Sequence, residues 1–567
     1  MIIPNMTTKP AANAQSLSCI NQINTPIMTR CLLSVAVASA LLLAGCGDDS
    51  ETTITYINAP QPIATFTADE IDDELLEASA IGKAVTPDAV CGVTVEKISY
   101  QTVGSAGEST NATAALMLPS GNTAECQGDR PILLHAHGTA TEKSYDFTQV
   151  GNTENSAGVR ATLMAANFAA QGYIVIAPNY AGYDTSDLDY HPYLNANQQS
   201  AEMVTALNTA RMLIKQQQGA NNANYVKVKD SGKLFLTGYS QGGHVAMATA
   251  RLLEEAGKPV TAMAPSSGPY ALAAFGDAIF AGNVNIGATA FAPMLAISLQ
   301  KVNNDIYRNP TDLFSPQYAN TRLPTTSSFE DLIKTGKLPQ TTLFQTAPTG
   351  IPELDAVTPE EGFGFADKNY LVQTNFRAVY LADAQANPDG LLIKNGNALP
   401  AATPQNNLRK ALKANDLRGY APTMPTLICG GNQDPTVFYD LNTGAMSALL
   451  QGKSMQNPAA KLNVTVLDVD ATNAAKRDQN TLTTIGQASM NAWNVQTVID
   501  NVQAKFAGTV QLVGKNAADQ VISNGGTPAQ AEQASQVAVL STYHAGLVST
   551  ACTQATREFF NQEFIKS

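Results

Sequence analysis

The chain has 567 residues, 44% of them hydrophobic, enough to bury a large core and too long for a small module stapled by disulfides or metal. With 34 Lys and Arg against 47 Asp and Glu the net charge is −13, which repels phosphate backbones and anionic headgroups and argues against a nucleic-acid partner. Beyond residue 45 no apolar run reaches the roughly 20 residues of a membrane-spanning helix.

Arg30 precedes the apolar stretch CLLSVAVASALLLAG, which stops at Cys46 and gives way to acidic GDDSE. A basic residue, a short apolar run and small residues before a cleavage point make a secretion signal. Residues 1–45 are assigned to it, with Met28 as the true start. Leu43, Ala44, Gly45 and Cys46 match a bacterial lipobox, in which Cys46 is lipidated after cleavage. Position 47 is Gly rather than Asp, so the expected product is an exported lipoprotein of the outer membrane, held there by its N-terminal lipid anchor. Residues 46–75 are polar and broken by proline and glycine, and are expected to be a lipidated, open tether. Apart from Cys19, Cys31 and Cys46, the cysteines are Cys91, Cys126, Cys429 and Cys552, an even number in an oxidising context. Of three possible pairings, Cys91 with Cys126 and Cys429 with Cys552 keep each bridge within one half of the expected fold. None has CxxC spacing, so no metal or redox motif is indicated.

From about residue 93 strand-like runs alternate with helical ones: VEKISYQTV, TAALMLP, PILLHAHG, YIVIAPNY, KLFLTGYS and VTAMAPSSG. The last four are short continuous apolar runs, as in strands covered on both faces. Between them AEMVTALNTARMLIKQQQ repeats Met203, Leu207, Ala210 and Ile214 at helical spacing. Such alternation implies a parallel α/β sheet. It occupies 76–269, stops for an irregular lid or cap insertion over 270–415, and resumes in PTLICGGNQD and NVTVLDVD within 416–470. A second, helical insertion is expected over 471–535, and a C-terminal core segment over 536–567.

GYSQGG, residues 238–243, contains G-x-S-x-G between a strand-like KLFLT and a helix-like HVAMATARLLEEAG. There the glycines permit the sharp turn that lifts a serine hydroxyl out of a sheet, so Ser240 is the candidate nucleophile. A serine needs a neighbouring base. Elbows of this kind run Ser, acid, His in chain order, and of the five histidines only His544 lies far enough beyond Ser240; it is expected in a short loop, TYHAG. The acid belongs on the loop after the seventh strand, where Asp434 follows TLICGG; Asp468 and Asp470, ending the eighth, are the alternatives. Two N–H donors must meet the oxyanion. The N–H of Gln241 is one, and that of Thr139, in the oxyanion loop turned by His137 and Gly138, is the other. His244 is read as structural.

With these residues in place the sequence resembles the α/β-hydrolase superfamily, and more narrowly secretory lipases and esterases related to Candida antarctica lipase A and their bacterial homologues. The segments APNYAGYDTSDLDYHPYLNANQQSAEMV, GYSQGG and SSGPY carry the resemblance. It implies hydrolysis of lipid or small carboxylic esters through an acyl-enzyme, without a cofactor, under a lid between the sixth and seventh strands, and a structural part for His191 in YHPYL. The lid is large enough to favour medium or long acyl chains. Rival readings are a serine peptidase of the prolyl oligopeptidase type, an esterase of plant-derived or polymeric esters, and a non-catalytic binding lipoprotein.

Overall fold

The computed structural model describes residues 56–390, 399–472, 481–490 and 496–561; the signal region, the lipobox and Cys46 lie outside them. Part of the expected tether is ordered: residues 56–66 form β1 (Tyr56–Phe66), antiparallel to β2 (Gly92–Val103). Pro60 and Pro62 argue for open chain in sequence, yet β1 is an edge strand, where a missing N–H can face outward. Thr67 and Glu70 then close a capping box, and the helix Ala68–Ala78 buries Ile71 and Leu75.

The remaining strands are β3 (Ser109–Ser120), β4 (Gly128–Ala136), β5 (Ile174–Pro178), β6 (Val228–Tyr239), β7 (Ala262–Ser266), a short parallel pair β8 (Phe344–Gln345) and β9 (Phe365–Ala366), then β10 (Thr426–Gly430), β11 (Asn463–Asp468) and β12 (Leu482–Gly486). Apart from β8 and β9 they form one sheet in the order β1-β2-β3-β5-β4-β6-β7-β10-β11-β12. From β5 to β11 every ladder is parallel, with antiparallel strands at both ends. The parallel strands are buried on both faces, as their unbroken apolar runs require; Leu134, Ile176, Leu236, Met263, Ile428 and Val466 lie in one hydrophobic core.

Between β7 and β10 the chain leaves the sheet and builds a second core of its own around Met294, Leu299, Phe314, Phe344, Tyr380 and Leu412. The later insertion is not wholly helical. Leu482–Gly486 becomes β12, whose short Thr-rich run pairs antiparallel with β11 and caps the sheet edge, before the helices Gln496–Ser523 and Pro528–Thr542. His544 is not in a loop either: Tyr543–Val548 is a π-helical turn joining Pro528–Thr542 to Ser549–Phe560. Turns of this type concentrate at functional sites.

Cys91 is bonded to Cys126 and Cys429 to Cys552, the pairing expected from sequence. Such bridges fit an exported protein. Among the described residues no helix is long and apolar enough to cross a membrane.

Candidate active site

β6 ends at Tyr239 and the helix Gln241–Glu255 starts at residue 241, so Ser240 alone makes the turn. Its backbone sits at φ 59°, ψ −124°, where L-residues are rare and where strain collects at functional sites. The neighbouring glycines let it close. A Cβ on Gly238 would fall 2.1 Å from Gly242 O, and one on Gly242 would fall 1.9 Å from Ala136 O. G-x-S-x-G is therefore a packing requirement of strand against helix start.

Asp434 lies just past β10. Its Oδ1 accepts from the N–H groups of Thr436 (2.9 Å) and Val437 (3.0 Å), and its Oδ2 is 2.6 Å from His544 Nδ1. A carboxylate oxygen there accepts the Nδ1 proton, which leaves the lone pair on Nε2. The hydroxyl of Tyr239, the residue before the serine, donates to His544 O at 2.6 Å and fixes the histidine beside the elbow. Among the described residues His544 Nε2 is buried without a hydrogen-bond partner, and Ser240 Oγ is not bonded to it. The structure thus joins Asp434 to His544 and leaves His544 Nε2 without a hydrogen-bond partner beside the elbow. Contacts of this kind commonly tighten only in the substrate complex.

Asp468 and Asp470 stand elsewhere. Asn432 donates to both oxygens of Asp468, from its N–H at 3.1 Å and its Nδ2 at 2.7 Å. Asp470 Oδ2 accepts from Gln433 Nε2 at 2.8 Å and from the Tyr543 hydroxyl at 2.6 Å. The two aspartates brace the loop before the acid and the residue before the base. Burial pushes the Asp468 carboxyl up to about 6.

The loop after β4 passes over the elbow: a Cβ on Gly138 would lie 3.5 Å from Ser240 Cβ. Among the described residues neither Thr139 N–H nor Gln241 N–H meets an acceptor. His137 is buried and stacks on Tyr180 with ring centroids 4.1 Å apart, and burial lowers its pKa to about 4. His244 Nε2 lies 2.8 Å from Asn415 O, where it fastens the elbow helix to the end of the insertion.

Ser240 opens on a pocket lined by Leu272, Phe275, Ile279, Phe291 and Leu295 among others. These residues come from the apolar stretches YALAAFGDAIFAG and IGATAFAPMLAISL. Among the described residues no group of three or more His, Cys, Asp or Glu is placed to hold a metal. Tyr239, His191 and Tyr193 contact His544, Gln241 and Thr139 respectively, and sequence reasoning gave none of them such a part. Tyr239 lies inside the elbow motif, and His191 and Tyr193 lie in the YHPYL run of the segment that carries the resemblance.

The sheet order and a strained serine between β6 and its helix define an α/β-hydrolase fold. Residues 153–269 match the dienelactone hydrolase family, a stretch that includes β5, β6 and Ser240. No curated protein sequence matches the chain. The crystal structure of the rice cell wall degrading esterase LipA from Xanthomonas oryzae is similar over 79% of this chain and 97% of that one, at 23% identity and a TM-score of 0.56. Its ligand-bound form gives 24% identity and the same TM-score, over the same shares of both chains. Candida antarctica lipase A in its closed state is similar over 72% of this chain and 76% of that one, at 11% identity and a TM-score of 0.36.

Proposed function

We propose that this chain is a serine-dependent carboxylic ester hydrolase acting through an acyl-enzyme. The observation that carries the reading is the 2.6 Å Asp434–His544 contact beside the strained Ser240, with His544 Nε2 left unpartnered. Ser240 Oγ attacks the ester carbonyl while its proton passes to Nε2, and Asp434 holds Nδ1–H and stabilises the imidazolium. The N–H groups of Gln241 and Thr139 meet the oxyanion. Collapse expels the alcohol, protonated by His544, and water then repeats the sequence on the acyl-serine. The match to a hydrolase family and the fold shared with an esterase support the ester class.

The substrates are acyl esters of medium or long chain, because the pocket at Ser240 is lined by apolar side chains of the insertion. Each buried methylene contributes at most about 0.8 kcal/mol. Kinetics on p-nitrophenyl acetate, butyrate, octanoate and palmitate, beside an amide series, test this. Octanoate or palmitate is expected to win. A monotonic fall from acetate onward would sink the chain-length assignment, and faster amide cleavage would point to a peptidase. Labelling by a fluorophosphonate, lost in Ser240→Ala, separates an enzyme from a binding protein on the same fold.

The protein is exported and held to the outer membrane through lipidated Cys46. The two disulfides support export, and the lipobox supports the anchor. Cys46→Ser is expected to move the protein from the membrane to the soluble fraction; unchanged fractionation would count against the anchor.

A further inference from the structure

The two proposed oxyanion donors sit on separate elements, the loop after β4 and the first turn of the helix Gln241–Glu255. A third element touches both. It is the segment between β5 and the helix Ala196–Gly219. On the loop side, the Tyr180 hydroxyl donates to His137 O at 3.2 Å and the Tyr183 hydroxyl to Ala140 O at 2.6 Å. The Tyr193 hydroxyl is 2.8 Å from Thr139 Oγ1. On the helix side, His191 Nε2 lies 2.6 Å from Gln241 Nε2.

The direction of that last contact is fixed. His191 Nδ1 is 2.9 Å from Ala181 O, which can only accept, so Nδ1 carries the proton and Nε2 accepts a hydrogen bond from the Gln241 carboxamide N–H. Burial lowers the His191 pKa to about 3, so the acceptor persists across neutral pH. The segment is itself anchored, since Ala181 N–H donates to buried Glu202 Oε1 at 2.7 Å. Tyr180, Asp184 and Leu194 all hold positive φ, at 64°, 49° and 52°. Such conformations persist only where the surroundings over-determine them.

Ordinary core packing would bury these rings without aiming their polar atoms at the residues that flank two N–H groups. We propose that residues 180–193 form a clamp that sets the spacing of the two oxyanion donors, with His191 and Tyr193 as positioning residues acting through Gln241 and Thr139. The inference rests on the serine-hydrolase reading above.

The test uses the full chain, a p-nitrophenyl ester of fixed chain length, and the variants His191→Leu, His191→Gln, Gln241→Leu, Tyr193→Phe and the double His191→Leu/Gln241→Leu. Displacing a donor should cost less than the 10²–10³ of deleting one, so His191→Leu and Gln241→Leu should each lower kcat about 10-fold with KM within about twofold. The double variant should be no slower than the slower single, because both act through one contact. His191→Gln, whose Oε1 can stand near the place of Nε2, should recover most of kcat. Affinity for an alkyl boronic acid, which forms a tetrahedral adduct on the serine, should fall in step with kcat. Unchanged kcat, losses confined to KM, or additive losses in the double variant overturn the clamp. If His191→Leu does not fold, Tyr193→Phe, which removes a single oxygen, decides on the same terms. Failure of fluorophosphonate labelling, or activity retained by Ser240→Ala, instead overturns the underlying reading and is recognised separately.

Discussion

Replacing Asp434 with asparagine keeps its size and changes one atom's hydrogen-bonding sense. Oδ1 of Asp434 accepts two backbone N–H bonds, from Thr436 and Val437, while Oδ2 faces His544 Nδ1. An asparagine can keep its oxygen on the two N–H groups and turn its NH₂ to the histidine. The opposite placement would leave both buried N–H donors facing an NH₂ group, at about 1–3 kcal/mol each. Shifting the proton of a neutral imidazole from one nitrogen to the other costs far less, so the first placement wins. His544 is then held with its proton on Nε2 and has no lone pair for the serine. In serine proteases the same tautomer reversal lowers kcat about 10⁴-fold, or roughly 5.4 kcal/mol of barrier. Steady-state kcat/KM of Asp434→Asn on a p-nitrophenyl ester, with a thermal melt to show an intact fold, is the assay. Activity within tenfold of the parent would refute both the tautomer argument and the choice of acid.

Three other outcomes follow from the same structure. Cys429→Ser/Cys552→Ser opens a loop with a sequence separation of 123, worth up to about 5 kcal/mol in the chain-entropy estimate; urea unfolding should show a greater loss than for Cys91→Ser/Cys126→Ser, whose separation is 35. Ala292→Phe places a ring in the pocket; displacing about three methylenes should cut kcat/KM for octanoate relative to butyrate roughly 10- to 60-fold, and an unchanged ratio would remove Ala292 from the acyl path. Burial raises the pKa of Glu202 to about 7 from 4.5, so the folded state binds a proton that the unfolded state releases. Stability should therefore fall as pH rises from about 5 to about 7. Glu202→Gln should lack that fall, and parallel unfolding curves at both pH values would contradict it.

The candidate site residues that sequence singles out are those governed by local geometry. Ser240 is marked by glycines that the strand-to-helix turn requires, Asp434 by its place after an apolar strand, and His544 by the scarcity of histidines. The contacts between them are not local. Tyr239 meets His544 across 305 residues, Tyr543 meets Asp470 across 73, and His191 meets Gln241 across 50, and no short spacing encodes such encounters. The fold was read best where strands are buried on both faces. It was missed at the two edges: β1 carries prolines that only an edge strand tolerates, and β12 is too short and polar to stand out from its Ala- and Asn-rich surroundings. The π-helical turn at His544 escaped for a related reason. Its glycine reads as a loop, yet the helices on either side continue through it.

The bridge from Cys429 to Cys552 also bears on how the protein is made. It ties the end of β10, just before the acid, to the helix that follows the base, and both lie downstream of the nucleophile elbow. A ribosome therefore releases the serine, its strained turn and its pocket well before the histidine, which comes 110 residues after Asp434. On the proposed assignment, the growing chain is hydrolytically silent until His544 and the helix Ser549–Phe560 emerge. The oxidation that locks acid and base into one unit belongs later still, in the compartment where cysteines pair. An esterase assembled in this order would be kept from the acyl esters of the cell that synthesises it.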